Sequence, residues 1–266
     1  MTVMNKKLYI GTNTKMTKGI ADTVSFLKAL QSLTEDISRE EIELFVIPSY
    51  TALERARKSV TAGLIRLGAQ NMCWEEQGQF TGEISPLMLQ ETGTEIIEIG
   101  HSERRHIFGE TDEHINKKVL SALKHGFTAL LCIGETAREK ELNIGSERLA
   151  AQLKTGLHQV AEKDLERLWV AYEPVWAIGT QGVPASATYA EDKHGKIKVE
   201  LTALFGKAAQ DIPVLYGGSV TLENSLEFIQ MPSIDGLFIG RSAWEADNFN
   251  QIIRQTLPLF KNKNYF

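Results

Sequence analysis

Leu168-Trp169-Val170-Ala171-Tyr172-Glu173-Pro174 is five apolar residues that stop at a carboxylate and a proline. A run this short, of β-branched and aromatic type, reads as a buried strand, and the proline after it restrains a turn. Seven more runs share the pattern: Leu8 to Ile10, Glu43 to Ile47, Ile65 to Gln70, Ile96 to Ile99, Thr128 to Ile133, Ile212 to Tyr216 and Gly236 to Ile239. Between most of them lie segments with helical periodicity: Ala21 to Leu33, Asp112 to Leu123, Glu147 to Ala161, Lys196 to Ala209 and Asn248 to Leu259. The chain therefore alternates strand and helix.

The strands are far enough apart to hold a crossover helix, which points to parallel pairing. Eight such units in 266 residues suggest one closed (β/α)8 barrel, the α/β TIM-barrel class, spanning 1–266 as a single domain. Periodicity alone leaves an open doubly wound sheet in play. Against it, the first strand is followed by Gly-Thr-Asn-Thr-Lys-Met rather than a glycine-rich dinucleotide loop.

Polar residues gather where strands end: Asn13 and Lys15, Gln70 and Asn71, His101 to Glu103, Glu135, Glu173, Ser219 and Arg241. In a parallel barrel all of those ends open on one face, where catalysis is built. Asn13 and Lys15 flank Thr14, and on extended backbone side chains two apart face the same way.

The charge balance, 29 Lys and Arg against 34 Asp and Glu, gives no basic field for nucleic acid or an anionic membrane. Any anion must be held locally. Cys73 and Cys132 fit no disulfide framework, zinc site or redox motif, so reduced thiols, no cofactor and no metal are expected. No run approaches the roughly 20 apolar residues of a membrane span, and a cytoplasmic location follows as the default expectation.

The motifs Ala171 to Thr180 (AYEPVWAIGT), Gly68 to Ser85, Gly100 to Arg105 (GHSERR), Cys132 to Glu135 (CIGE), Tyr216 to Val220 (YGGSV) and Asp235 to Gly240 (DGLFIG), with Asn13 and Lys15, resemble the triosephosphate isomerase family in its own order over nearly the whole chain. The resemblance implies an enzyme that moves a proton between adjacent carbons of a sugar phosphate through an enediolate. It assigns Glu173 as the base, desolvated by an apolar lid, and His101 as the electrophile on the carbonyl. In triosephosphate isomerase itself that histidine is a neutral imidazole because a helix N-terminus lowers its pKa, and the same is expected here from the likeness. Lys15 and Asn13 would stabilise developing charge, with Glu103 in support. Gly179, Ser219, Gly240 and Arg241 match the phosphate positions, where glycine lets backbone N–H groups approach an anion.

Cys132 reads as a packed, inert thiol beneath the site. The family also implies a homodimer through the loop at 72–85, with Thr81 approaching the partner's Asn13. The first expectation for the substrate pair is dihydroxyacetone phosphate and D-glyceraldehyde 3-phosphate, in glycolysis and gluconeogenesis. Departures surround the lid and phosphate: Asn13-Thr14-Lys15 for the usual Asn-Trp-Lys, Gln181 where glycine is common, and Gly240-Arg241-Ser242-Ala243-Trp244 after the last strand. Asp235 to Trp244 (DGLFIGRSAW) with Gly182 to Ser186 (GVPAS) resembles a branch interconverting L-erythrulose 1-phosphate and D-erythrulose 4-phosphate in erythritol catabolism, the alternative expectation. A non-catalytic sugar-phosphate-binding barrel is the third.

Overall fold

A computed structural model describes residues 7–179 and 182–263. Thr180 and Gln181, and with them one of the departures noted above, lie outside the described residues. The strands are β1 (Leu8–Asn13), β2 (Ile42–Ile47), β3 (Arg66–Ala69), β4 (Ile96–Ile99), β5 (Thr128–Ile133), β6 (Leu168–Tyr172), β7 (Val214–Tyr216) and β8 (Gly236–Ile239). They close in chain order into a barrel, and every pairing is parallel, including β1 with β8.

Alternation along each strand divides the side chains between two cores. Phe45, Ile47, Ile96, Leu130, Cys132, Trp169, Ala171, Leu215 and Phe238 fill the barrel. Residues one step out of phase, such as Leu8, Ile10, Ile97 and Ile99, face the helices in the second core. Phe45 lies at the centre, with Phe238 stacked on it at 5.6 Å and Trp169 tilted at 5.5 Å. It needs Gly11 beside it, since a Cβ there would stand 2.4 Å from the Phe45 ring. At the strand-N-terminal end Arg66 lies over the Trp169 ring at 5.1 Å and pairs with Glu43 and Glu95, closing the floor.

Where element bounds differ from the sequence expectation, local chemistry accounts for it. The expected Lys196 to Ala209 helix is instead Ala187–Phe205, begun by the Ser186 hydroxyl accepting from the Tyr189 N–H. It stops at Gly206, whose φ of +61° is left-handed, and a 3-10 turn Gly206–Asp211 follows. The expected Glu147 to Ala161 helix is Gly145–Gly156. Short helices such as Leu53–Ser59, Pro86–Glu91 and Ser102–His106 fall between strands where too few residues exist to show a period. Among the described residues no helix is long and apolar enough to cross a membrane.

Candidate active site

The strand-C-terminal mouth of the barrel holds a cavity of about 520 Å³, lined among others by Asn13, Lys15, His101, Glu173, Ser219 and Arg241. That is within the range of small-ligand sites.

Asn13 is the last residue of β1 and buried. Its Nδ2 donates to Glu98 Oε2 at 2.6 Å, its Oδ1 accepts the Lys15 backbone N–H at 2.6 Å, and its carbonyl accepts from Trp244 Nε1 at 2.9 Å. Lys15 is not on extended backbone as expected. Its φ is +50°, a left-handed turn held by the Asn13 side chain and by Gln70 Nε2, which donates to the Lys15 carbonyl at 2.8 Å. Both side chains still reach the cavity, because the turn redirects Lys15 inward. Its Nζ donates to Glu103 Oε1 at 2.7 Å, so Glu103 stands behind the ammonium.

His101 caps the helix Ser102–His106, and its Nδ1 accepts the Glu103 backbone N–H at 3.1 Å. An accepting Nδ1 carries no proton, so the hydrogen of the neutral ring is on Nε2, which faces Glu173 Oε1 at 3.6 Å. Glu173 follows β6 directly. Its backbone N–H is held by the Ile133 carbonyl at 2.7 Å, and its Oε2 accepts from the Ser102 N–H at 3.4 Å. Two glycines make this placement possible: a Cβ at Gly134 would lie 1.8 Å from the Glu173 carbonyl oxygen, and one at Gly217 2.9 Å from its Cγ.

Glu135 departs from the expected crater. It is fully buried off the cavity and accepts from Tyr172 Oη, Trp176 Nε1 and Tyr189 Oη, each at 2.9 Å. It thus anchors the turn Val175–Ala177, which follows β6, to the barrel wall. Asn71 likewise points elsewhere, accepting from buried Lys118 at 2.9 Å. Gly179, Ser219, Gly240 and Arg241 line the same cavity from the segment after β6, the loop after β7 and the turn after β8, the consecutive strand ends that begin at Glu173. Gly179 has a φ of +86°, a conformation that needs glycine.

Sequence reading missed Glu98. It lies in the middle of the Ile96–Ile99 run, on the inward face with Ile96, and is wholly buried. The available signal was a carboxylate inside a strand whose two faces are both apolar.

A closed parallel barrel whose mouth gathers a carboxylate, an imidazole, an ammonium group and glycine-rich turns around one cavity has the form of an isomerase of small phosphorylated sugars. Residues 8–256 match the triosephosphate isomerase family, and the chain belongs to it. The chain is 43% identical over 248 residues to an L-erythrulose-1-phosphate isomerase of Rhizobium etli, covering 92% of this chain and 91% of that protein. It is 44% identical over 250 residues to the protein of the same name from Brucella abortus, covering 93% and 95%. Triosephosphate isomerase from Bartonella henselae superimposes with a TM-score of 0.84 at 32% identity over 92% of this chain and 97% of that one. The chain is a sugar-phosphate isomerase. The expectation of triose phosphates as the substrate pair is corrected by these relatives, which carry the alternative name at higher identity than the triosephosphate isomerase shows.

Proposed function

We propose that the chain isomerises L-erythrulose 1-phosphate to D-erythrulose 4-phosphate. The observation that carries the reading is the identity of 43–44% to L-erythrulose-1-phosphate isomerases across more than nine-tenths of each chain.

Both sugars share one enediolate. Glu173 removes the proton from C3, the C3–H electrons form the C2–C3 double bond, and the C2 carbonyl oxygen becomes an oxyanion. The His101 Nε2–H and the Lys15 ammonium stabilise that charge. His101 Nε2 gives its proton to the C2 oxyanion and takes the one from the C3 hydroxyl, the protonated Glu173 delivers its proton to C2, and the product has a hydroxyl at C2 and the carbonyl at C3. Counted from the other end, the product is the 4-phosphate. A triose phosphate undergoes the same step with a hydrogen where the tetrulose carries a hydroxymethyl group, so the proton-moving residues serve either sugar and the walls of the cavity select.

For the phosphate, the backbone of Gly179, Ser219 and Gly240 and the side chain of Arg241 form the receiving side of the cavity. Closing the lid would expel water and strengthen each of these interactions. The working form is a cytosolic homodimer. Supporting this, residues 75–83 stand exposed from the barrel, Phe80 is 42% exposed, and Trp74 at the base stacks on His114 at 5.2 Å. Light scattering showing a fully active monomer at micromolar concentration would remove the dimer from the account.

The substrate assignment is tested by following L-erythrulose 1-phosphate by NMR in D₂O. Conversion with deuterium incorporated at C2 of the original numbering is expected. A chain that binds the sugar yet exchanges no carbon-bound hydrogen is a binding protein and not this enzyme.

A further inference from the structure

The roles above leave Glu98 unused. Its side chain lies inside the barrel from β4, meeting Asn13 of β1 and lying close to Cys132 of β5 and Glu173 after β6. Oε2 accepts from Asn13 Nδ2 at 2.6 Å, and the Cys132 thiol lies 4.0 Å from Oε1. One such atom each from Glu98, Cys132 and Glu173 falls within 4.8 Å of the other two. All three residues are buried.

Buried groups this close together do not tolerate two carboxylate charges. Lys15, which would favour an ionised Glu98, is already paired with Glu103 at 2.7 Å. Burial is the largest influence on Glu98 and the Glu173 charge the next; together they push it well above the usual carboxylate range, against the Asn13 hydrogen bond and Lys15, while Glu103 adds to the push. The Cys132 thiol is also pushed up, by burial first and then by Glu173 and Glu98, with Arg105 opposing.

We propose that Glu98 is a positioning residue of the proton-transfer site: a neutral carboxylic acid that clamps Asn13 through Oε2 and leaves the single negative charge of the Glu98, Cys132 and Glu173 group on Glu173. The group then holds two protons, on Glu98 and Cys132, and one charge where the base must act. Asn13 is fixed at both ends of its amide, to Glu98 through Nδ2 and to the Lys15 turn through Oδ1. Its second N–H remains for the substrate oxygens.

This rests on the reading of Glu173 as the base, and the test keeps the two apart. In the intact enzyme at neutral pH, an infrared difference spectrum of wild type minus Glu98→Gln shows the carbonyl band of a protonated carboxylic acid. No substrate enters that measurement. Glu98→Leu, which deletes the acceptor for Asn13, loses at least about tenfold in kcat with KM little changed, and Glu98→Gln recovers most of it because its amide oxygen replaces Oε2. The acid limb of kcat/KM stays in place in Glu98→Gln, since a neighbour that was already neutral has been replaced by a neutral one.

Three results overturn the proposal. They are absence of the acid band, wild-type kcat in Glu98→Leu, or an acid limb moved down by about one pH unit or more in Glu98→Gln, the shift expected when a like charge is removed. If instead Glu173→Gln kept full activity while the band was present, the base assignment would fail and the protonation of Glu98 would stand.

Discussion

Replacing Glu173 by aspartate moves the carboxylate and little else. The backbone stays tied through the Glu173 N–H to the Ile133 carbonyl at 2.7 Å, and the functional group keeps its chemistry. What changes is reach, since one methylene withdraws the oxygens by about 1.5 Å, the length of a backbone C–C bond. In the present geometry Oε1 stands 3.6 Å from His101 Nε2 and Oε2 3.4 Å from the Ser102 N–H, so the carboxylate is already at the limit of its contacts. A misplacement of about 1 Å at the reacting centre costs on the order of 100-fold, and kcat should fall by at least that factor. KM should change by less than about threefold, because the phosphate contacts proposed at Gly179, Ser219, Gly240 and Arg241 stay in place and an interaction made only in the transition state is lost from kcat. Steady-state kinetics on L-erythrulose 1-phosphate, with circular dichroism to confirm the fold, give the answer. Aspartate retaining kcat within about threefold would refute Glu173 as the positioned base, because general-base catalysis is worth roughly 100-fold or more.

His101→Gln keeps a polar side chain but loses the Nε2–H set by the Glu103 N–H; a drop in kcat of about 100-fold is expected in the same assay. Phe45→Ala empties the centre of the barrel and should destabilise the protein by about 3–5 kcal/mol in urea unfolding, a loss of less than 1 kcal/mol contradicting its central place. His194 is buried between Tyr172 and Tyr216, and burial, followed by Lys198, pushes its pKa down to about 3. Its folded pKa lies below the unfolded value of about 6.5, so its neutral form contributes stability above that pH, and this is lost as pH falls toward 3 at about 1.4 kcal/mol per unit. Unfolding curves from pH 7 to 4 should show that slope in the wild type and a shallower one in His194→Gln. Gly134→Ala places a methyl where the Glu173 carbonyl already lies; activity should be lost even where soluble protein is recovered.

The strands were legible because a barrel strand is apolar on both faces. Leu168–Tyr172 and Thr128–Ile133 read as continuous runs whose ends are marked by Glu173 and Gly134. The helix bounds were less legible where a cap decides them, as at Ser186 and Gly206, since one hydroxyl or one positive φ outweighs several residues of periodicity. Asn13, Lys15, His101 and Glu173 were visible as strand exits because a parallel barrel brings all such exits to one mouth. What brings Lys15 there was not, because a left-handed turn pinned by Gln70 leaves no pattern in the sequence. Glu135 showed as a polar strand exit, yet its three donors come from β6, the turn that follows it and a later helix, and only the folded chain shows that it holds that turn. Glu98 was hidden inside an apolar run, where its meaning depends on Asn13, some 85 positions earlier. The sugar was least legible. Proton transfer of this kind needs the same base and electrophile for three carbons or four, so the residues that move the proton do not distinguish the sugars.

The substrate assignment is decided by kcat/KM of the wild-type enzyme for L-erythrulose 1-phosphate and for D-glyceraldehyde 3-phosphate, measured in one preparation. A preference for the tetrulose phosphate of at least about tenfold is expected, the lower bound for discrimination by one added carbon. Equal constants, or a preference for the triose phosphate, would contradict it.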